Sequence, residues 1–291
     1  MTVAQVLGYT PEALMLILSS GIDVGTEREL REQIVEFGRL MYWKGWIAAN
    51  DGNISVRLSP DRILATPTKV SKGMMRAEDA ILCDHSGVKV SGNRECTSEI
   101  EMHVTIYSVR PDVRAIVHAH PPVATGFALA GRALDHALLP EVVINLGSIP
   151  LAPYGLPGTP ELSERLRPLI SDHDAILMAN HGVVCYGADL ATAFFNLETV
   201  EHCARIALVA EVLGGPQPLP VEEVDRLVAA RSRYGLPSER CMSRPKSTIP
   251  RNGQPNGDKA TYTRGEVISL IDEILCDRLR SGVPTCNGDS S

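Results

Sequence analysis

Residues 97–122 read TSEIEMHVTIYSVRPDVRAIVHAHPP. Two elements follow from that string. SEIEMHVTIYSVR predicts a helix, which Pro111 stops because proline cannot supply the next backbone donor. VRAIVHAH is a short apolar run with β-branched residues and predicts a buried strand. On a strand, residues at i and i+2 point to the same side, so His118 and His120 could both reach one metal ion. Glu99 and His103 are four apart and share a face of the helix.

The flanking sequence supports a mixed fold. GTERELREQIVEFGRLMYWKGW, residues 25–46, predicts a helix: Thr26 and Glu29 have capping-box spacing, and Leu30, Ile34, Phe37 and Leu40 recur at helical intervals. DGNISVRLSPDRILATPT predicts a hairpin, with Ile54, Val56 and Leu58 alternating before the SPD turn and Ile63 and Leu64 after it. DAILMANHGVVCYG predicts a second buried strand. DLATAFFNLETVEHCARIALVAEVLG predicts a long helix ending at Gly214 and Gly215, and PVEEVDRLVAARSRYG predicts the last helix of the body. Helices and strands do not alternate strictly, so the fold class is α/β, with a mainly antiparallel central sheet covered by helices.

Composition narrows the function. The chain has 291 residues and a net charge of −7, which argues against nucleic acid and anionic membrane as partners. ALMLILSSG, residues 13–21, is too short to span a bilayer, and no Lys or Arg precedes it, so no secretory signal is expected. Seven cysteines without a Cys-x-x-Cys pair suggest reduced thiols and a cytoplasmic protein.

With eight histidines in the chain, a His-x-His pair arises by chance roughly 0.2 times, so the pair alone is weak. The plain alternative is two strand histidines, one hydrogen-bonded in the core. His181 adds weight, because it too sits where an apolar strand meets a glycine. Three imidazoles leave one tetrahedral position open, the arrangement of a catalytic zinc. For Glu99 the plain alternative is a helix N-terminal carboxylate stabilised by the dipole.

GNISVRL, TPTKVSKG, TSEIEMHVTIYSVRPDVRAIVHAHPP and LMANHGVVCYG together resemble the class II aldolase/adducin family, in its sugar-phosphate aldolase branch, from about residue 27 to 235. The resemblance implies a three-layer α/β fold and a homotetramer. It implies one Zn2+ per subunit on His118, His120 and His181, and an acid/base role for Glu99. Phosphate contacts would come from Asn53, Thr68, Thr97 and Ser98. Lys69 stands where the fuculose-type enzymes have glycine, and it would either add charge to that site or signal a different head group. His103 is expected to be a packing residue or one lying behind the site. The family's interface tyrosine is missing from HALLPEV, residues 136–142, where His136 and Glu141 are the nearby polar groups. The implied reaction is retro-aldol cleavage of a deoxyketose 1-phosphate, of L-fuculose or L-rhamnulose type, to dihydroxyacetone phosphate and lactaldehyde. Related epimerases, dehydratases and decarboxylases share the scaffold, but the epimerases carry aspartate at the position of Glu99. Adducin-type domains lack the metal histidines.

The expected organisation is a zinc-dependent aldolase domain over 1–237, then a flexible linker over 238–262, rich in Pro, Gly, Asn and Ser. An amphipathic helix over 263–280 follows, with Val267, Leu270, Ile271, Ile274 and Leu275 in one stripe. A disordered tail over 281–291 ends the chain. The linker and helix together resemble the peptides that carry enzymes into bacterial microcompartments, which implies shell proteins as partners. The alternative is a helix folded back on the body.

Overall fold

A computed structural model of the chain describes residues 26–234, 236 and 244–248. Eight strands form one sheet in the order β4-β3-β2-β1-β5-β8-β7-β6. They are β1 Asn53–Ser59, β2 Arg62–Ala65, β3 Ile81–Asp84, β4 Lys89–Ser91, β5 Ala115–Ala119, β6 Leu151–Ala152, β7 Ala175–Met178 and β8 Gly182–Gly187. Every neighbouring pair is antiparallel except β6 with β7. Among the described residues seven α-helices accompany the sheet: α1 Glu27–Trp43, α2 Ile100–Val109, α3 Pro122–Leu129, α4 Pro140–Asn145, α5 Pro160–Ile170, α6 Leu190–Val212 and α7 Val221–Ala230.

Strand alternation divides the core in two. Ile54, Val56, Ala115, Val117, Leu177, Val183 and Cys185 pack beneath α1, α3 and α6. Ile63, Ile116, Ile176, Val184 and Tyr186 face α2 and α5 on the other side. The expected three layers are therefore present. α1 starts where the capping box places it, with Thr26 and Glu29 each bonding the other's main chain. α6 starts at Asp189, whose side chain accepts the Thr192 N–H.

Three expectations need correction. DAILMANHGVVCYG is a hairpin of two strands, not one, because Asn180 takes a left-handed backbone (φ 55°) and reverses the chain. His120 lies one residue beyond β5, its amide bonded to the Trp46 carbonyl at 2.8 Å. Third, the linker reading does not hold for 244–248, which lie against the body. The Lys246 N–H donates to the Asp135 carbonyl and the Ala137 N–H to the Lys246 carbonyl. Lys246 Nζ pairs with Asp135 at 2.6 Å, and Arg244 with Asp225 at 2.7 Å. Composition counts few apolar residues there but is blind to this complementarity of charge. The expected helix at 263–280 and the tail lie outside the described residues.

Phe194 on α6 is fully buried and packs on Phe37 and Trp46, with ring centroids 5.0 and 5.5 Å apart. It thereby supports the turn whose Trp46 carbonyl holds His120. Replacing Phe194 by Ala is expected to cost about 3–5 kcal/mol of folding stability, read as a lowered midpoint in urea. A loss under 1 kcal/mol would mean that this contact is not part of the core.

Candidate metal centre

Neighbouring strands bring the three histidines together. His118 is on β5, His120 follows it, and His181 is in the turn between β7 and β8, the strand that pairs with β5. One nitrogen from each falls within 4.8 Å of the others, and the rings stand 4.7–5.3 Å apart. Gly182 is required for this approach: a Cβ there would sit 2.5 Å from His120 Cδ2 and 2.6 Å from the Ala119 carbonyl. Gly52, at φ +68°, plays the same part opposite, where a Cβ would meet the His118 carbonyl at 2.8 Å.

The donor set suits a cation. His118 Nδ1–H donates to the Val183 carbonyl at 2.9 Å, which fixes the tautomer and leaves the Nε2 lone pair facing inward. That Nε2 lies 3.2 Å from His120 Nε2 and 3.3 Å from Glu99 Oε2. Glu99 Oε1 is 3.3 Å from His181 Nε2, and neither Glu99 Oε1 nor His181 Nδ1, both buried, has a hydrogen-bond partner among the described residues. Burial lowers all three imidazole pKa values. His118 falls well below the usual range, with His181 and His120 adding to the effect, and His181 falls to about 4. Neutral imidazoles and a carboxylate thus turn acceptors toward one another, an arrangement that a divalent cation relieves.

Glu99 caps the N-terminus of α2, as its helix-start position implied, although its side chain makes no cap bond. Its carboxylate is buried, which raises its pKa, while the Asn53 amide (Nδ2 to Oε2, 2.8 Å) and Lys72 work against that rise. Asn53, directly opposite His118 in the β1–β5 register, is thus drawn into the site. Thr97 is buried, and its Oγ1 accepts the Glu99 N–H at 3.4 Å. The loop of Thr68 is tied to the segment before Glu99 through the Thr68 N–H to Glu95 and the Thr97 N–H to Thr66. Ser98 and Lys69 are exposed, and Lys69 takes the left-handed backbone (φ 58°) that suits the glycine expected there. His136 and Glu141 are not brought to the histidines: His136 pairs with Asp135, and Glu141 lines a cavity with Trp46 and Glu201.

The chain matches the family model "Class II Aldolase and Adducin N-terminal domain" over residues 32–208. The protein belongs to the class II aldolase/adducin family. It is 33% identical over 190 residues to the 3-oxo-tetronate 4-phosphate decarboxylase of Pectobacterium atrosepticum, covering 64% of this chain and 87% of the relative. It is 31% identical over 206 residues to the 5-deoxy-D-ribulose 1-phosphate aldolase of Bacillus thuringiensis serovar kurstaki, covering 70% and 96%. A solved L-fuculose 1-phosphate aldolase superposes with a TM-score of 0.67 at 28% identity, covering 73% of this chain and all of that one. The protein is thus an enzyme of a metal-dependent superfamily acting on small sugar phosphates. Among the described residues, no helix is long and apolar enough to cross a membrane.

Two residues of the site escaped the sequence reading. Lys72 is only 2% exposed, donates to the Asn50 carbonyl at 2.5 Å, and has its pKa lowered to about 8 by burial, against the pull of Asp51 and Glu99. Asp51 Oδ2 lies 3.6 Å from His120 Nδ1. Both belong to turns whose composition fits ordinary loop chemistry, so no local signal marked them.

The imidazoles give stability a pH dependence with a definite sign. Unfolded histidines titrate near 6.5, whereas His181 is held near 4 and His103 near 3. Below about pH 6.5 the unfolded chain therefore binds more protons, and stability falls as pH drops toward 4, by roughly 1.4 kcal/mol per pH unit for each such imidazole. Urea unfolding of metal-free protein at pH 7, 6 and 5 checks this. A flat profile would mean that the cluster is protonated in the folded state.

Proposed function

We propose that the enzyme is a zinc-dependent lyase that breaks the carbon–carbon bond next to the hydroxyl-bearing carbon of a phosphorylated ketose, releasing dihydroxyacetone phosphate and an aldehyde. The observation that carries this reading is Glu99: its carboxylate is buried between His118 and His181, with Oε1 free of any hydrogen bond among the described residues. The substrates named for the relatives share a ketone flanked by a phosphorylated methylene and a hydroxymethine, and in each the bond broken lies beyond that hydroxymethine. Retro-aldol cleavage and loss of CO2 then leave the same three-carbon anion.

His118, His120 and His181 would hold the zinc, which when bound supplies positive charge for the ketone oxygen as negative charge develops there. Glu99 Oε1 delivers a proton to the carbon freed by cleavage and removes it in condensation. The Asn53 amide holds the other carboxylate oxygen. Burial raises the Glu99 pKa, which makes its carboxylate a stronger base than a solvated one. The chain's own walls exclude water, since Asn53, Thr97 and His118 are all nearly inaccessible. Thr68, Lys69, Thr97, Ser98 and the second Asn53 N–H are the donors we assign to the phosphate. We further take the working form to be a homotetramer, acting on a fuculose- or rhamnulose-type 1-phosphate. The Pectobacterium relative favours a second reading, decarboxylation of a 3-oxo acid phosphate.

One assay separates the two. Zinc-loaded enzyme with dihydroxyacetone phosphate in D2O should exchange a hydroxymethyl proton, and added L-lactaldehyde should yield a deoxyketose 1-phosphate. Exchange without aldehyde addition favours the decarboxylase. Glu99→Gln should keep the metal and lower exchange by about 10²–10⁴-fold, whereas full exchange in that variant removes Glu99 from the chemistry. Deleting residues 263–291 should spare turnover and abolish co-sedimentation with microcompartment shells. Loss of turnover on deletion would instead support a helix folded back on the body.

A further inference from the structure

Behind Glu99 runs an unbroken chain of buried polar groups. Asn53 Nδ2 meets Glu99 Oε2 at 2.8 Å, Asn53 Oδ1 meets His103 Nε2 at 2.5 Å, His103 Nδ1 meets Ser55 Oγ at 2.6 Å, and Ser55 Oγ meets Tyr107 Oη at 2.9 Å. His103 and Ser55 are wholly inaccessible, and Asn53 and Tyr107 nearly so. Asn53, Ser55 and Arg57 are alternate residues of β1 and all face α2, where the Arg57 guanidinium lies 4.6 Å from the Tyr107 ring.

The chemistry of the groups gives this chain one direction. The Glu99 carboxylate offers lone pairs to its neighbour, so Asn53 presents its N–H and turns its carbonyl to His103. His103 must then donate from Nε2, which leaves Nδ1 bare to accept from the Ser55 hydroxyl. Ser55 in turn accepts from Tyr107, whose 3.4 Å contact with the Arg114 carbonyl is too long to compete. Every donor therefore points toward Glu99. With Glu99 ionised, the reversed arrangement would set the Asn53 carbonyl against the carboxylate, and an unmet bond in so buried a place is costly.

We propose that His103 is a positioning residue: by locking the Asn53 amide it commits Glu99 Oε2 to a fixed hydrogen bond and leaves Oε1 as the oxygen that carries the proton. Neutrality of the His103 ring, whose pKa is pushed down to about 3 by burial, agrees with this. The inference rests on the assignment of Glu99 as the proton carrier. It goes further in naming the oxygen and the residue that selects it.

Two variants of similar size separate positioning from packing. Glutamine places its amide where His103 Nε2 lies and can still donate to Asn53. Asparagine reaches only the Nδ1 position and loses that bond. His103→Gln should exchange dihydroxyacetone phosphate protons in D2O within about 3-fold of the parent, and His103→Asn should be slower by about 100-fold in rate with little change in KM, the scale expected when a reacting group is misplaced. Zinc content should match the parent in both. Equal rates in the two variants, fast or slow, would overturn the proposal. Ring 15N resonances of His103 in the unsubstituted enzyme give a readout without turnover. The protonated nitrogen should be Nε2, and the opposite tautomer would overturn the proposal even if both variants misfold. Should Glu99→Gln retain full exchange, the assignment beneath the inference fails. Should Glu99→Gln be inactive and His103→Asn fully active, this inference alone fails.

Discussion

The site depends on the register of one strand. β5 lies between β1 and β8, and its pairings set Asn53 opposite His118 and Val183 opposite Ala119. The first pairing brings the Asn53 amide to the Glu99 carboxylate. The second places the Val183 carbonyl at His118 Nδ1 and the turn of His181 beside His118 and His120. A slip of one residue in either pairing would send His118 to the opposite face of the sheet, among the aliphatic residues under α6. The apolar residues flanking it, Val117 and Ala119, resist that slip because each is wholly buried on that other face. Core packing and ligand geometry are thus one constraint, set by the pleat.

Much of this was legible in the sequence. The capping box of α1, the proline after α2 and the glycines after α6 are local signals, and local chemistry placed those elements. The three histidines that the structure brings together as a candidate metal site were legible because histidine is scarce and its spacing matched a known family pattern. What could not be read was the company that side chains keep across elements. NISVRL alternates polar and apolar residues, the pattern of a strand with one wet face. Yet Asn53 and Ser55 are buried against α2, since that helix offers His103 and Tyr107 as partners. Alternation tells which residues share a face, not whether water or a second polar layer covers it. Lys72 was missed for a similar reason: a lysine in a turn is usually solvated, and only the fold shows it enclosed beside the Asn50 carbonyl.

The cost of the site explains its surroundings. A carboxylate and three neutral imidazoles with lone pairs converging oppose folding until a cation is bound, so metal affinity adds directly to stability by mass action. The scaffold around them is correspondingly rigid. α2, which carries Glu99 at its start and His103 one turn on, is held to the sheet by Met102 and Ile106, both buried against residues of α5 and β5. The loop bearing Asp51 is pinned by Lys72, and the turn before β8 is fixed by Asn180 and Gly182.

Rigidity also decides how the protein can discriminate between reactions on one anion. On the proposed reading, the groups that would stabilise charge and carry the proton come from β1, the start of α2, the end of β5 and the β7–β8 turn, all tied to the central sheet. On that reading they would treat cleavage to an aldehyde and loss of CO2 alike, because both leave the same three-carbon fragment. Discrimination must then come from whatever meets the departing half of the substrate. Within the chain, neither His136 nor Glu141 does so: one is held by Asp135 and the other faces the cavity beside Trp46. The inner half of the site is therefore fixed by the packing of the core. Its outer half, where chemistry separates one family member from another, is free to vary without disturbing that core.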